Sequence, residues 1–349
     1  MMRYSIIHTT DLFHPHGDPD DHFDLALQYA LSVRKYTKLE RVIIDHPSRA
    51  AAANHGFYSP AVLSVAQLNV ITGEEVPVSI GCQQQVRKRV DDLSDIPPRQ
   101  SSAIDMILRV LKEAEEPVRI VIVGDCSDIA AASRRDPELF RTKCDRVYVN
   151  AGTGCNIENH ERECNVITNP NAYAAMFDLP CPVYWCPCFH SIHPLPEYFG
   201  PKNEGKHGSV YLTDQSFLFD HMSVRLQNYF SYMFECSTDP MWLAWLDRKE
   251  SSAQLEYERT QKRRLYSTAG ILHAAGITVD VNGDFSDLYS EDKGVFSFIP
   301  INVTCDDHGF TRWERAQGDT QRYILNIPDN HNYASALTIA ISKLFEVLG

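Results

Sequence analysis

The stretch VRIVIVGDCSDIAAA, residues 118–132, joins the most clearly buried strand of this chain to a helix. Its first part is mostly valine and isoleucine, which is typical of a strand covered on both faces of a sheet. A glycine and a short polar turn follow, and then alanine-rich residues that favour a helix. The pattern predicts one strand–turn–helix unit of a parallel sheet.

The same alternation of strand and helix runs through the first two-fifths of the chain. Further strands are predicted at residues 3–10, 40–46, 76–81, 145–152 and 181–186, and helices at 21–36, 60–72, 101–116, 126–140 and 169–178. Such alternation predicts an α/β fold, with a mostly parallel, doubly wound (Rossmann-like) central sheet and helices on both faces. Residues 215–265 are mainly helical in pattern, and no linker-like stretch separates the two halves. We therefore expect a single domain over residues 1–349, with helical insertions in its second half.

Composition narrows the class of protein. The chain has 349 residues, 44% of them hydrophobic, and a formal net charge of −13. Its one basic run, QKRRL at 261–265, is interpreted as a solvated helix face, so nucleic-acid binding is not expected. No apolar run reaches the roughly 18 residues that a membrane span needs. No signal sequence is visible, so we expect a cytoplasmic protein whose ten cysteines are reduced.

An acidic turn follows the first predicted strand. The run TTDLFHPHGDPDDHFDLA, residues 9–26, carries five aspartates and three histidines. A helix N-terminus stabilises one or two aspartates without any function, but it does not account for Asp11, Asp18, Asp20, Asp21 and Asp24 together. Like charges repel unless a cation lies among them, and carboxylate oxygens suit Ca²⁺ or Mg²⁺. The histidines leave a transition metal as the alternative.

The predicted topology brings several strand ends to one place. In open parallel sheets, ligands bind beyond the carboxyl ends of the strands. This rule places Asp11, His46, Gly124 and Gly152 at one edge of the sheet, beside the acidic turn.

Four motifs in chain order resemble those of the inosine–uridine-preferring nucleoside hydrolases. The first is the strand and acidic turn that leads through Asp20 and Asp21 into a helix, where the family has a D-x-D-P-G-x-D-D turn. The second is VRIVIVGDCSDIAAA, with Ser127 at the place of the family's threonine. The likeness extends over roughly residues 3–250, and residues 301–325 also resemble a late strand of the family.

The third and fourth motifs lie further along the chain. VYVNAGTGCNIENHERECNVITNPNAYAAMF supplies Asn156, Glu163 and Asn165 in the family's order, and STDPMWLAWLD supplies Asp239. Each motif alone is a weak signal, since asparagine is common in turns and Asp239 before Pro240 is also a plausible helix cap. Four of them in order are fairly specific.

The resemblance implies an enzyme that hydrolyses the N-glycosidic bond of ribonucleosides to ribose and free base, using a Ca²⁺-bound water activated by an aspartate. It implies these roles: calcium ligands Asp11, Asp21 and Asp239 through side chains and Ser127 through its carbonyl oxygen, the general base Asp11, and the ribose ligands Asp20, Asn156, Glu163 and Asn165. It also implies a homodimer or homotetramer acting on a small nucleoside, while the composition already argues against nucleic-acid and membrane partners.

The chain departs from the family pattern in two places. Its first turn is about five residues longer and contains FHPHG, so either Asp11 or Asp18 could take the first aspartate's place; Asp11 is favoured because it follows the strand. Thr238 stands where the family has a histidine that in some members protonates the leaving base. His190, His193 or a tyrosine such as Tyr198 could take the place of that histidine.

Two other functions remain open at this level. A non-catalytic relative that binds a ribosyl ligand or calcium would keep the same ligands and lack turnover. A metal-dependent phosphohydrolase of the haloacid dehalogenase type also begins with an aspartate at a strand end, but it needs a second aspartate two residues later, where this chain has Phe13.

Overall fold

A computed structural model describes residues 4–15, 19–50, 59–156, 162–190, 206–288 and 294–349. The strands are β1 Tyr4–Thr10, β2 Phe13–His14, β3 Thr37–Ile44, β4 Ser59–Pro60, β5 Val78–Ile80, β6 Val118–Ile122, β7 Cys144–Asn150, β8 Val183–Cys186, β9 Tyr211–Asp214, β10 Lys262–Leu265, β11 Ile277–Val279, β12 Phe285–Asp287, β13 Ser297–Cys305, β14 Thr311–Arg315 and β15 Arg322–Asn326. The helices are α1 Asp20–Val33, α2 Pro47–Ala50, α3 Val62–Thr72, α4 Ser102–Glu113, α5 Ser127–Arg135, α6 Pro137–Lys143, α7 Cys164–Thr168, α8 Pro170–Met176, α9 Gln215–Asp220, α10 Val224–Phe234, α11 Trp242–Leu246, α12 Ala253–Arg259, α13 Thr268–Ala274 and α14 Asn330–Phe345. Asp18, His193 and Tyr198 lie outside the described residues.

Within these ranges, nine strands form one central sheet in the order β14-β13-β15-β8-β7-β6-β1-β3-β5. Every neighbouring pair from β5 to β15 is parallel, and the pairs β15–β13 and β13–β14 are antiparallel. The predicted mostly parallel sheet is therefore confirmed. The chain order reverses between β1 and β6, and in open α/β sheets such a switch point is where ligands bind.

Helices cover both faces of the sheet, as predicted. Ile6 and Ile7 are neighbours on β1 and belong to two different buried clusters, because side chains alternate between the faces of a strand. One cluster packs the sheet against α1, α3, α10, α13 and α14. The other packs it against α4, α5, α6 and α8. No helix in the described part of the chain is long and apolar enough to cross a membrane.

Two local predictions were wrong. The helix expected over residues 126–140 is two helices, α5 and α6, because Asp136 caps a new helix by accepting a hydrogen bond from Leu139 N at 2.9 Å. The basic run QKRRL is strand β10, paired antiparallel with β9, and not a helix face. Leu265 is buried and Lys262 is exposed, because residues three apart on a strand point to opposite faces.

Candidate functional site

The carboxyl ends of β1, β3 and β6 lie side by side. Asp45 N donates a hydrogen bond to Thr10 O at 2.8 Å, so the pairing of β1 and β3 continues past the strands. Asp11 and Gly124 are in close contact: a Cβ on Gly124 would lie 2.7 Å from Asp11 N and 2.6 Å from Asp45 Oδ2. Only glycine fits at that position. The edge predicted from the strand-end rule is present.

Helix α1 begins beside this edge with two buried carboxylates. Asp20 and Asp21 form its first turn, and Asp21 Oδ1 accepts a hydrogen bond from Thr10 Oγ1 at 3.2 Å. The partial positive charge at a helix N-terminus stabilises carboxylates placed there. The fold therefore holds Asp21 against the end of β1 with its charge next to that strand end.

Glu163 and Asn165 join the edge from the β7 side. Glu163 Oε2 accepts a hydrogen bond from Gly152 N at 2.8 Å, and Oε1 accepts one from Asn165 N at 2.8 Å. Asn165 Nδ2 donates to Val123 O at 3.0 Å, just past β6. The third motif is thus fixed against the ends of β6 and β7.

Cys188 is a buried cysteine that follows β8, and its main-chain N donates a hydrogen bond to Gly152 O at 2.9 Å. Burial raises the pKa of Cys188, and the negative charges of Glu163 and Asp20 raise it further. A thiol held in its protonated form is a poor nucleophile, so Cys188 is not a candidate nucleophile.

Three buried aspartates that the sequence analysis did not assign also line the edge. Asp45 Oδ2 accepts a hydrogen bond from Asp125 N at 2.6 Å, and Asp125 Oδ1 accepts one from Ser127 N at 2.6 Å. Asp128 Oδ1 accepts one from Cys82 N at 2.9 Å. These carboxylates shape the turns after β3, β5 and β6. The signal that could have found Asp45 is its place directly after the buried run VII.

Ser127 is fully buried at the start of α5. Its hydroxyl is 3.0 Å from Asn169 Nδ2, which donates a hydrogen bond to it. The side chain therefore ties α5 to α8. This is consistent with the expectation that Ser127 would offer a metal its main-chain carbonyl and not its hydroxyl.

Two predicted site residues make other contacts. Asn156 pairs with the main chain of Trp313 on β14, accepting from its N at 3.1 Å and donating to its O at 2.5 Å. Asp239 Oδ2 lies 3.5 Å from Arg248 Nη2, and its side chain is 33% exposed. Its Oδ1 accepts a hydrogen bond from Met241 N at 2.8 Å. Both side chains are therefore engaged by protein groups that the resemblance did not imply.

The model of the family described as inosine–uridine preferring nucleoside hydrolase matches residues 52–294 of this chain. The chain belongs to this family. The match includes Ser127, Glu163, Asn165 and Asp239, and it begins after the acidic turn. The resemblance expected from the four motifs is confirmed.

Three similar proteins are distant in sequence. The pyrimidine-specific ribonucleoside hydrolase RihA of Enterobacter sp. (strain 638) is 27% identical over 86 residues, which span 25% of this chain and only 28% of that protein. The purine-preferring ribonucleoside hydrolase from Gardnerella vaginalis has a TM-score of 0.59 at 15% identity, covering 99% of this chain and 100% of that one. The type III effector XopQ, solved with adenosine diphosphate ribose, has a TM-score of 0.58 at 12% identity, covering 100% and 95%. At such identities the two structures show a shared fold.

Nucleoside hydrolases of this family are in general metal-dependent. Asp11, Asp21 and the Ser127 carbonyl are oxygen donors of the kind that Ca²⁺ prefers, so the donor set fits such an ion in its chemistry. Across the described ranges, however, no three His, Cys, Asp or Glu side chains are arranged to hold a metal. The Asp239 carboxylate lies 3.5 Å from the Arg248 guanidinium, whose positive charge would compete with a cation for it.

The acidic turn meets the fourth motif at Tyr232. The ring of His14 lies 6.4 Å from the ring of Tyr232, and Tyr232 Oη donates a hydrogen bond to Asp239 O at 3.0 Å. From the sequence alone, the histidines of this turn were only possible metal ligands. The proximity of His14 to Tyr232 depends on the tertiary structure and left no signal in the sequence.

His8 lies on β1, below the edge, and gives a testable pH dependence. It is fully buried, and burial lowers its pKa from 6.5 to about 3. In the unfolded chain, His8 binds a proton below about pH 6.5, whereas in the folded chain it stays neutral down to about pH 3. We therefore expect the contribution of His8 to the free energy of unfolding to be complete above pH 6.5 and to fall by at most about 1.4 kcal/mol per pH unit below it.

Urea unfolding at pH 7 and pH 5 measures this effect. His8→Gln removes the titrating group, so its loss of stability between the two pH values should be smaller than that of the wild type. His331→Gln, at a surface position on α14, serves as the control and should follow the wild type. Equal pH dependence in wild type and His8→Gln would show that His8 is not the cause.

Proposed function

We propose that this chain hydrolyses the N-glycosidic bond of ribonucleosides and releases ribose and free base. The observation that carries the proposal is that Asp21, at the start of α1, and Glu163, after β7, are both fixed by hydrogen bonds at the strand-end edge, from Thr10 Oγ1 at 3.2 Å and from Gly152 N at 2.8 Å. Carboxylates accept hydrogen bonds from hydroxyl groups, and a ribose offers several of them. Membership of the nucleoside hydrolase family supports the same substrate class.

The carboxylates of the edge have distinct roles in this proposal. Asp11 removes a proton from the attacking water as the general base. Asp20, Glu163 and Asn165 hold the ribose hydroxyls; Asn156 joins them only if its pairing with Trp313 opens. Cleavage of a ribosyl C–N bond develops positive charge on the sugar, and fixed carboxylates nearby stabilise that charge.

We further propose that the metal is Ca²⁺, held by Asp11, Asp21 and the Ser127 carbonyl, and by Asp239 once it separates from Arg248. When bound, such an ion would orient vicinal hydroxyl groups and make a water more acidic. The support for this choice is the all-oxygen chemistry of the donors. Histidine and cysteine side chains are not among them, which disfavours zinc.

A second candidate is a ribosyl-binding protein without turnover. The observation that favours it is the contact between Asp239 and Arg248, which pairs one of the expected metal ligands with a positive side chain. A neighbour of the same fold, XopQ, was solved with adenosine diphosphate ribose. By analogy, this chain would bind a ribose-containing ligand at the same edge and release nothing.

Ribose release from a panel of purine and pyrimidine ribonucleosides, with Ca²⁺ present, separates the two candidates. We expect release from at least one ribonucleoside. The matching 2′-deoxyribonucleoside should have a kcat/KM lower by about 100-fold, because a buried carboxylate would lose its hydroxyl partner. Glu163→Gln, which keeps the size of the side chain, is the matched variant and should lower this discrimination. No release from any nucleoside, together with calorimetric binding of adenosine diphosphate ribose, would establish the non-catalytic binder.

A further inference from the structure

One buried aspartate joins the ends of three neighbouring strands. In the sheet, β1 lies between β3 and β6, and Asp45 directly follows β3. Its main-chain N donates a hydrogen bond to Thr10 O at 2.8 Å, which holds Asp45 against the end of β1. Its Oδ2 accepts a hydrogen bond from Asp125 N at 2.6 Å, beyond the end of β6. The side chain therefore reaches across the end of β1, where the chain continues into Asp11.

Gly124 shows how closely these groups are packed. A Cβ at this position would lie 2.6 Å from Asp45 Oδ2 and 2.7 Å from Asp11 N. The Asp45 carboxylate and the main chain of Asp11 thus adjoin the same glycine. Since Asp45 is 2% exposed, little water is available to replace its contacts if they are lost.

The hydrogen bonds continue from Asp125 to the start of α5. Asp125 Oδ1 accepts a hydrogen bond from Ser127 N at 2.6 Å. The hydroxyl of Ser127 accepts one from Nδ2 of Asn169, the residue that caps α8, at 3.0 Å. The main chain of residues 124–127 is thus held by Asp45 on the β3 side and by Asn169 on the α8 side. The direction of the Ser127 carbonyl depends on the shape of this main chain.

This inference rests on the proposed function, because it concerns groups that are expected to act there. We propose that Asp45 is a positioning residue: its carboxylate holds the 124–127 turn against the end of β1 and so sets the relative positions of the Ser127 carbonyl and Asp11. In this role Asp45 contacts neither substrate nor metal, and its effect passes through main-chain atoms. Removing a group that holds a metal ligand from behind typically lowers metal affinity by about 10- to 100-fold.

The hydrogen bond of Asp45 and its negative charge have to be separated. A carboxylate attracts a nearby cation even without positioning anything. Asparagine at this position keeps an oxygen that can accept the hydrogen bond from Asp125 N, but it carries no charge. Alanine has neither the oxygen nor the charge. The pair Asp45→Asn and Asp45→Ala therefore distinguishes the two effects.

Calorimetric titration of the full-length protein with Ca²⁺ gives a readout that does not depend on turnover. We expect Asp45→Ala to weaken Ca²⁺ binding by about 10-fold or more, and Asp45→Asn to stay within about threefold of the wild type. At saturating Ca²⁺, kcat for ribose release should fall about 10-fold in Asp45→Ala, because a displaced Asp11 is poorly placed for the attacking water. Asp45→Ser, whose hydroxyl is one atom shorter, replaces the alanine variant if that variant does not fold.

Asp136→Ala is the matched control. Asp136 also accepts a hydrogen bond from a main-chain N, that of Leu139 at 2.9 Å. It follows α5, at the opposite end of that helix from Ser127. This variant should unfold at lower urea concentration than the wild type and keep its Ca²⁺ affinity and kcat.

Each outcome of the titration has a separate meaning. Wild-type Ca²⁺ affinity in Asp45→Ala would overturn the inference. An equal loss in Asp45→Asn and Asp45→Ala would also overturn it, because the charge would then be the cause. A wild-type protein that binds Ca²⁺ but releases no ribose would overturn the proposed hydrolysis, while the affinities would still decide the role of Asp45. A wild-type protein that binds no Ca²⁺ would overturn the proposed metal site, and this inference with it.

Discussion

Replacing Asp11 with asparagine should lower kcat for ribonucleoside hydrolysis by about 1,000-fold, with a smaller change in KM. Asparagine has nearly the same size but cannot accept the proton of the attacking water, and a general base contributes on the order of 10²–10⁴ to the rate. The position favours this role, because Asp11 directly follows β1 and its main chain packs on Gly124 at the switch point of the sheet. Steady-state ribose release at saturating substrate measures the effect.

Asp18→Asn is the informative partner of this variant. Both aspartates lie in the long first turn, and either could take the first aspartate's place in the family pattern. We expect Asp18→Asn to change kcat by less than about threefold. Removal of a general base would lower kcat by a much larger factor. If instead Asp18→Asn loses activity and Asp11→Asn keeps it, the base is Asp18.

Asp21→Asn, tested for Ca²⁺ binding by calorimetry, checks the proposed metal site without relying on turnover.

Replacing Asp145 with asparagine should lower the free energy of unfolding by about 3 kcal/mol. Asp145 Oδ2 accepts hydrogen bonds from Arg119 Nε at 2.6 Å and from Arg146 Nε at 2.9 Å. Burial pushes the pKa of Asp145 upward, but the two guanidinium groups hold it below its usual value. The side chain of Arg119 is 2% exposed, so removing the carboxylate leaves a buried positive charge without its partner.

Asp247→Asn provides the matched control for this prediction. Its partner Arg225 lies 2.8 Å away, but the two side chains are 45% and 56% exposed. Exposed pairs contribute about 0–1 kcal/mol, so this variant should unfold almost like the wild type. Urea denaturation of both variants at pH 7 makes the comparison. An equal loss of unfolding free energy in the two variants would contradict the prediction. It would mean that solvent screens the ion pairs of Asp145 as fully as those of a surface residue.

The sequence predicted the fold well because the fold depends on local periodicity. Runs such as the one at β6 are buried on both faces, and a half-buried or surface strand cannot tolerate so many adjacent apolar residues. Helices on both faces follow once parallel strands alternate with helices along the chain. The wrong predictions were also local. The expected single helix is divided at Asp136, because its side chain caps the start of α6 and a continuous helix does not form there.

The positions of the site residues were only partly predictable from the sequence. Residues placed by a neighbouring strand or helix could be predicted, and residues placed by a partner outside their own motif could not. Asp21 and Glu163 lie at the edge because they follow β1 and β7 along the chain. Both strands are recognisable in the sequence. Asn156 is directed by Trp313, which lies far along the chain on an antiparallel strand that the motifs did not include. Asp239 is directed by Arg248, a contact that depends on how the short helix α11 folds back. Such choices between partners are made by tertiary packing, which no motif records.

The position of β1 has a practical consequence for dividing this chain into pieces. The first strand in sequence is an interior strand of the sheet, between β3 and β6. A fragment cut to the family match at residues 52–294 would lack β1 and β3 at one end and β13 to β15 at the other. The exposed backbone of β6 would then present unpaired amides and carbonyls to other molecules, as edge strands do in aggregation. The stretch recognised as the family is therefore shorter than the unit that can fold.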